Sequence, residues 1–390
     1  MDTPDPPLNG ARLLSVGHTL PGIYCIAILR DLGADVTRIE RVAGAPGSQR
    51  YEGLAGSFTT RSLLTGTSSC ELDLKDPRGR ECYLRMAQQA DAVLEGFRPG
   101  VAERLGIDYA RLSKDNPGLV YAAISGYGQD GPYRDRVGHD INYLAESGIL
   151  HLTGQPNGPP GVPGVTMGDG LAGINGALNI VAALLAQRQT GRGQYLDVAV
   201  IDGPLFLMSA EIEHYWSTGI SRDRGDMHLT GRYPWYCLFE TKDGGYISVG
   251  SVEPAFYARL CELMGRPDLA SQQFAEGGDL DALFEFFRQR FLSKTRDEWT
   301  SLLAGEETCV APVLTPGEAA EAPQNRRAWT GNADAAQPPG SAGSMPMVRT
   351  PVRLPQPKPR PERLSAETLA SFGIAQDEIA TLQAEGVAGR

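Results

Sequence analysis

The sequence predicts an α/β fold, an open and mostly parallel sheet to which a smaller second unit is attached. Three observations carry this. Strand-length apolar runs alternate with helix-length segments over roughly the first half of the chain. A stretch rich in charge and glycine, Ser221–Gly231, interrupts that alternation. A hairpin signal, Asp243-Gly244-Gly245, then opens a different pattern.

The alternation begins with an apolar strand at Leu13–Val16, a helix running through Leu32 and a second strand near Val36–Ile39, which together read as βαβ. A helix near Arg80–Gln89 follows, then strands at Ala92–Gly96 and Leu119–Ser125. A helix starts near His139, a Gly/Pro loop spans Gly154–Gly168, and a long small-residue helix runs from about Gly170 to Gln189, where Gly191 and Gly193 stop it. Tyr195–Val200 reads as a strand and Gly203–Thr218 as an amphipathic helix. Past the hairpin strands Tyr236–Phe239 and Tyr246–Val249 come three helical stretches to about Ala304. The expected division is a large domain over 1–203, a linker over 204–228, a small α+β domain over 229–315, a Pro/Ala/Gly-rich return crossing over 316–363, and C-terminal helices over 364–390 that rejoin the large domain.

Composition narrows the function classes. With 390 residues, 41% hydrophobic and 21% charged, the chain is long enough for a large core. The balance of 36 basic against 47 acidic residues gives a formal charge of −11, and no Lys/Arg block could track a phosphate backbone, so nucleic acid is not an expected partner. Six scattered cysteines show no metal-ligand spacing, the N-terminus is acidic and Pro-rich, and no apolar run is read as a spanning helix. The expectations are no metal, no membrane and a cytoplasmic protein.

Three acidic or His-bearing segments could carry chemistry. In Val137-Gly138-His139-Asp140-Ile141, a His-Asp pair stands where a glycine turn enters a helix, so the Asp140 amide could meet an anion while His139 moves a proton. The plainer alternative makes Asp140 a helix cap and His139 a turn residue. Asp169, flanked by Gly168 and Gly170, stands at the start of the long helix and is open to the same two readings, as is Glu253 between a strand and Pro254.

Together these segments resemble the family III CoA-transferase superfamily, and within it the α-methylacyl-CoA racemase branch. The likeness runs in order through Leu32-Gly33-Ala34-Asp35-Val36, Leu72-Asp73-Leu74-Lys75, Glu95-Gly96-Phe97-Arg98-Pro99-Gly100, Ser125–Pro132, Gly138–Tyr143 and Gly191–Gln194. The resemblance implies a Rossmann-like large domain built from both chain ends plus a small domain, with two chains interlocked as a homodimer. It implies that His139 and Asp169 are an acid/base pair on opposite faces of a substrate α-carbon. Glu253 would orient and strengthen His139 across the subunit boundary, so that a lone monomer is inactive. An enolate formed between the two bases would be held by backbone donors, with the Asp140 N–H as candidate.

For CoA, the resemblance places Arg38 and Arg98 at the nucleotide or diphosphate, with Leu72 and Lys75 nearby; a surface salt bridge is the ordinary alternative for any single arginine. The partner is an acyl-CoA substrate, and no separate cofactor is implied because CoA is part of the thioester. Two departures stand out. Where the family carries an Asn-Arg-x-Lys/Arg run, this chain has Leu64-Thr65-Gly66-Thr67-Ser68-Ser69. Each missing phosphate contact would cost on the order of 1 kcal/mol, pointing to weaker CoA binding or another pantetheine carrier. Gly231-Arg232-Tyr233-Pro234 replaces a Gly-Gly-Ala/Ser-Pro pattern and would reshape the acyl pocket. The rival expectations are a CoA-transferase that uses Asp169 as nucleophile and a protein that binds CoA esters without turnover.

Overall fold

The computed structural model describes residues 5–17, 19–43, 63–330 and 365–389. The described residues divide into two compact units. The first comprises Met1–Ser147, Gly164–Met208 and Pro323–Arg390, and the second comprises Gly148–Pro163 and Ser209–Ala322.

In the first unit the chain runs β1 (Arg12–Val16), α1 (Leu20–Asp31), β2 (Asp35–Glu40), β3 (Ser68–Glu71), α2 (Pro77–Ala87), β4 (Ala92–Glu95), α3 (Val101–Leu105), α4 (Tyr109–Asp115), β5 (Val120–Ser125) and α5 (Asp140–Glu146). In the second unit a one-turn helix, α6 (Ile149–Leu152), follows. The first unit then resumes with α7 (Met167–Thr190), β6 (Tyr195–Ala199) and α8 (Asp202–Leu207). Its six strands pair in the order β3-β2-β1-β4-β5-β6, all parallel. Strand order reverses between β1 and β4, and in such sheets ligands bind beyond the carboxyl ends of the strands near that reversal.

Both faces of this sheet are covered, which is why its strands read as continuous apolar runs rather than alternating ones. On one face α1 packs on α7. Ile26 and Leu29 of α1 are fully buried, as are Ala172 and Ile180 of α7. Close approach depends on small residues: a Cβ added at Gly173 would collide with Tyr24 Cβ and lie 3.0 Å from the Pro21 carbonyl oxygen. On the other face Leu14, Leu72, Tyr83 and Met86 share a core with Leu369, Phe372, Ile379 and Leu382 from the C-terminal helices α15 (Ser365–Ser371) and α16 (Gln376–Ala384). Leu72 bridges Ala388, so both chain ends build the large unit.

The second unit holds α9 (Ser209–Thr218), the antiparallel sheet β7-β8-β9 (Tyr236–Glu240, Tyr246–Gly250, Val310–Pro312), and helices α10 (Pro254–Leu263), α11 (Gly277–Phe291), α12 (Arg296–Leu303) and α13 (Pro316–Glu321). Its core gathers Trp235, Tyr257, Phe287, Phe291 and Trp299. The hairpin turn is fixed by Thr241 Oγ1 donating to Asp243 Oδ1 at 2.7 Å and by Gly244 at φ +77°. The short helix α14 (Pro323–Thr330) returns the chain to the first unit.

Three sequence expectations need correcting. Gly148–Pro163 groups with the second unit rather than with the large domain, because Arg224 donates to the carbonyls of His151 and Gly158 while Asp223 pairs with His151 Nε2 at 2.9 Å. The stretch expected as a linker over 204–228 is largely helical, in α8 and α9. By length and composition α7, with 24 residues, is also apolar enough to cross a membrane, although its interspersed Gly and Asn hide that in the sequence; one of its faces packs on α1 while Ile174, Leu178 and Leu185 are exposed. The expected return crossing over 316–363 lies largely outside the described residues, beyond α13 and α14.

The α1–α7 contact yields a stability test. Alanine replacing glycine inside an exposed helix stabilises by up to about 1 kcal/mol. At Gly173 the collision with Tyr24 reverses the sign, and Gly173→Ala is expected to lower unfolding free energy by about 1–3 kcal/mol in urea titration.

Candidate active site

The site is built where two helices begin at the carboxyl edge of β5 and β6. Beyond β5, the loop from Gly126 is held by Asp197 of β6, whose Oδ2 accepts the Gln129 N–H at 2.7 Å, and by Arg134 Nε donating to the Gln129 carbonyl at 2.9 Å. Tyr143 then anchors the approach to α5: its hydroxyl donates to the Gly138 carbonyl at 2.8 Å, and its ring meets Tyr127 edge-on with centroids 5.1 Å apart. A side chain at position 126 would strike that hydroxyl, which accounts for Gly126.

His139 is the N-cap residue of α5. Its backbone is extended, its N–H donates to Asn142 Oδ1 at 3.0 Å, and its side chain is exposed. Asp140 is the first helical residue. Its N–H is one of the amides that a helix start leaves without an intrahelical acceptor. Its carboxylate does not cap its own helix; Oδ1 accepts the backbone N–H of Asp169, in the first turn of α7, at 2.9 Å. Gly168 makes this possible, because an added Cβ would lie 3.1 Å from that oxygen. A single side chain therefore ties the starts of α5 and α7 together.

Asp169 itself is not a cap; Thr166 holds that position. Its half-buried carboxyl is pushed up to about 6, first by burial and then by the neighbouring negative charge of Asp140. Tyr143 is raised as well, by burial first, then by Tyr127 and Asp169, while Arg98 pulls it back. The field of Arg98, exposed on the turn after β4, thus reaches the Tyr143 hydroxyl.

The structure brings His139, Asp140 and Asp169 to one place and distributes the other expected residues. Glu253 lies in the second unit as the N-cap residue of α10, exposed, with Pro254 in the first turn and no capping bond from its carboxylate. Its turn is pinned by Ser251 Oγ donating to the Thr308 carbonyl at 2.5 Å and by Gln273 Nε2 donating to the Val252 carbonyl at 2.8 Å. Arg38 is 8% exposed on β2, with Nε donating to Thr67 Oγ1 at 2.9 Å and its guanidinium paired with Glu40. The Leu72 side chain belongs to the core, and Lys75 is exposed with its N–H bound to Asp73 Oδ1 at 2.9 Å. Where the basic run is missing, the turn is held from beneath: Arg30 donates to the carbonyls of Leu63 and Thr65, each at 2.6 Å.

Sequence reasoning gave Tyr143 and Asn142 no role. The Asn three residues after a helix-initiating His was a readable signal, since that spacing suits reciprocal capping. The Tyr143 contacts with Gly126 and Gly138 carry no sequence signature of their own.

The raised Asp169 carboxyl sets a pH-dependent stability. Below the ordinary carboxylate range both folded and unfolded chains hold the proton. As pH climbs from 3.8 to about 6 the unfolded chain releases it first, so the native protein loses stability there and stays lower above. Asp169→Asn is expected to be more stable than the native chain at pH 7.5, on the order of 1–2 kcal/mol, with the difference gone by pH 3.5 in parallel urea titrations.

A profile of CoA-transferase family III matches residues 8–365. The chain is 35% identical to the mouse (Mus musculus) alpha-methylacyl-CoA racemase over 97% of each chain. It is 36% identical to the succinyl-CoA–D-citramalate CoA-transferase of Chloroflexus aurantiacus over 69% of this chain and 67% of that one. Among solved structures, a CAIB/BAIF family protein from Brucella suis superposes with a TM-score of 0.79 at 26% identity, covering 95% of this chain and all of that one. The fold, the ordered motifs and these likenesses agree that the chain belongs to CoA-transferase family III.

Proposed function

We propose that the protein is a racemase that inverts the α-carbon of 2-methyl-branched acyl-CoA thioesters by proton transfer through an enolate. The observation that carries this reading is the Asp140–Asp169 bond, which ties the helix start that carries His139 to the one that carries Asp169. Likeness to the mouse racemase over 97% of both chains supports it, against likeness to the citramalate CoA-transferase over about two thirds.

One base removes the α-proton, and the electron pair left behind delocalises into the thioester carbonyl as an enolate. The other group returns a proton to the opposite face. Asp169, raised toward the working pH, is better matched to holding and releasing a proton than an ordinary aspartate. In this reading the amide of Asp140, at the positive end of α5, donates to the enolate oxygen. In this reading Glu253, whose carboxylate caps nothing in its own chain, orients the imidazole of a second copy in a homodimer. Exposed apolar side chains such as Leu178 and Leu185 in the first unit and Trp216 in the second support self-association. Six free thiols, four of them buried, fit a reducing cytoplasm.

Proton NMR of a 2-methylacyl-CoA in deuterated buffer tests this. The enzyme alone, with no acceptor acid, is expected to erase the α-proton signal and collapse the methyl doublet, and His139→Ala and Asp169→Ala should each slow this by about 100-fold or more. Unchanged exchange in both variants would sink the reading. Acyl migration to an added carboxylate without α-exchange would assign Asp169 as a transferase nucleophile instead.

A further inference from the structure

Glu95 closes β4 at the carboxyl edge of the sheet, beside the strand-order reversal, paired across to Val16 and Ala123. It is 4% exposed. Burial pushes its carboxyl up to about 8; Glu103 of α3 and Asp197 of β6 push the same way, and the Phe97 N–H pulls it back. Burial raises Tyr83 on α2, Tyr121 on β5 and Tyr195 on β6, with Glu95 adding to each, and the hydroxyls of Tyr83 and Tyr121 are buried without a hydrogen-bond partner among the described residues.

A leucine would fit such a place at lower cost to the fold, because an acid buried among acids and unpaired hydroxyls is destabilising. The contact this carboxyl makes runs to its own loop: Oε2 accepts the Phe97 N–H at 2.7 Å. That bond folds the side chain back beneath the turn and fixes the peptide leading into Arg98, while the Phe97 ring packs on the core. Beyond it the Arg98 carbonyl accepts the Val101 N–H at 3.1 Å, so the turn is held on both sides of the arginine, whose side chain is exposed.

From this geometry we infer that Glu95 is a positioning residue for ligand binding, a hydrogen-bond acceptor that aims Arg98 at a phosphate group of the CoA carrier. The inference rests on the reading of Arg98 as a CoA contact. A protonated carboxylic acid serves this purpose better than a carboxylate, since it fixes the loop without adding a second charge to offset the arginine beside an anionic ligand.

Calorimetric titration with CoA itself, on the full chain at pH 7, separates the possibilities. Arg98→Ala is expected to weaken CoA binding by about tenfold, and Glu95→Ala by a similar factor. Because Glu95 acts through Arg98, the double variant should bind within about twofold of Arg98→Ala alone, and Glu95→Gln, which keeps the neutral acceptor, should restore affinity to within about twofold of the native chain. If Glu95→Ala does not fold, Glu95→Asp, one methylene too short to reach the amide, takes its place in the same cycle. Multiplying losses in the double variant, native affinity in Glu95→Ala or Glu95→Asp, or no recovery in Glu95→Gln would overturn the inference while leaving the Arg98 contact standing. Unchanged affinity in Arg98→Ala would overturn the contact and the inference together.

Discussion

One hydrogen bond, from the backbone amide of Asp169 to the carboxylate of Asp140, organises the candidate site of this protein. It joins two helix starts that are 29 residues apart and reach the same sheet edge by different routes, one through the loop after β5 and one through the run into α7. A charge-assisted bond to a backbone amide is among the stronger and more directional contacts available to a fold. Here it also brings one acid against another, so the element that positions Asp169 helps raise its carboxyl. Burial supplies the larger part of that rise, and the Asp140 carboxylate adds to it.

The supports of that bond follow from the α/β architecture. Small residues along α7 let it lie close on α1, which fixes the axis and hence the start of the helix that carries Asp169. The Tyr143 hydroxyl and the Asn142 side chain close the other helix start around His139. A comparable device operates at β4, where Glu95 holds the peptide before Arg98. At Asp140 and at Glu95 alike, an acid accepts a backbone N–H.

Much of the architecture was legible in the sequence because a parallel sheet covered on both faces has a strong signature: short, mostly apolar runs such as Leu13–Val16 and Val120–Ser125, separated by helix-length segments. The hairpin at Asp243–Gly245 was legible for a similarly local reason. Side-chain ties between distant segments were not. Asp140 and Asp169 each looked like a cap for its own helix, and no periodicity could show that Asp140 serves the other one. Arg38 was expected at the CoA nucleotide or diphosphate, and no sequence pattern showed that Thr67 and Glu40 hold it inside. The grouping of Gly148–Pro163 with the second unit depends on Arg224 and Asp223, contacts that span some seventy residues. Glu253 was given its role only by what the family resemblance implies, and the structure adds that its carboxylate does not cap its own helix.

The most direct measurement of the central claim removes the tie and keeps both proton-transfer groups. In Asp140→Ala, His139 and Asp169 are intact but the α7 amide has lost its acceptor. If this bond sets their common geometry, the turnover number for α-proton exchange should fall by about 100-fold while CoA affinity stays within a few-fold of native. A folded Asp140→Ala protein that exchanges the α-proton at the native rate would contradict the account.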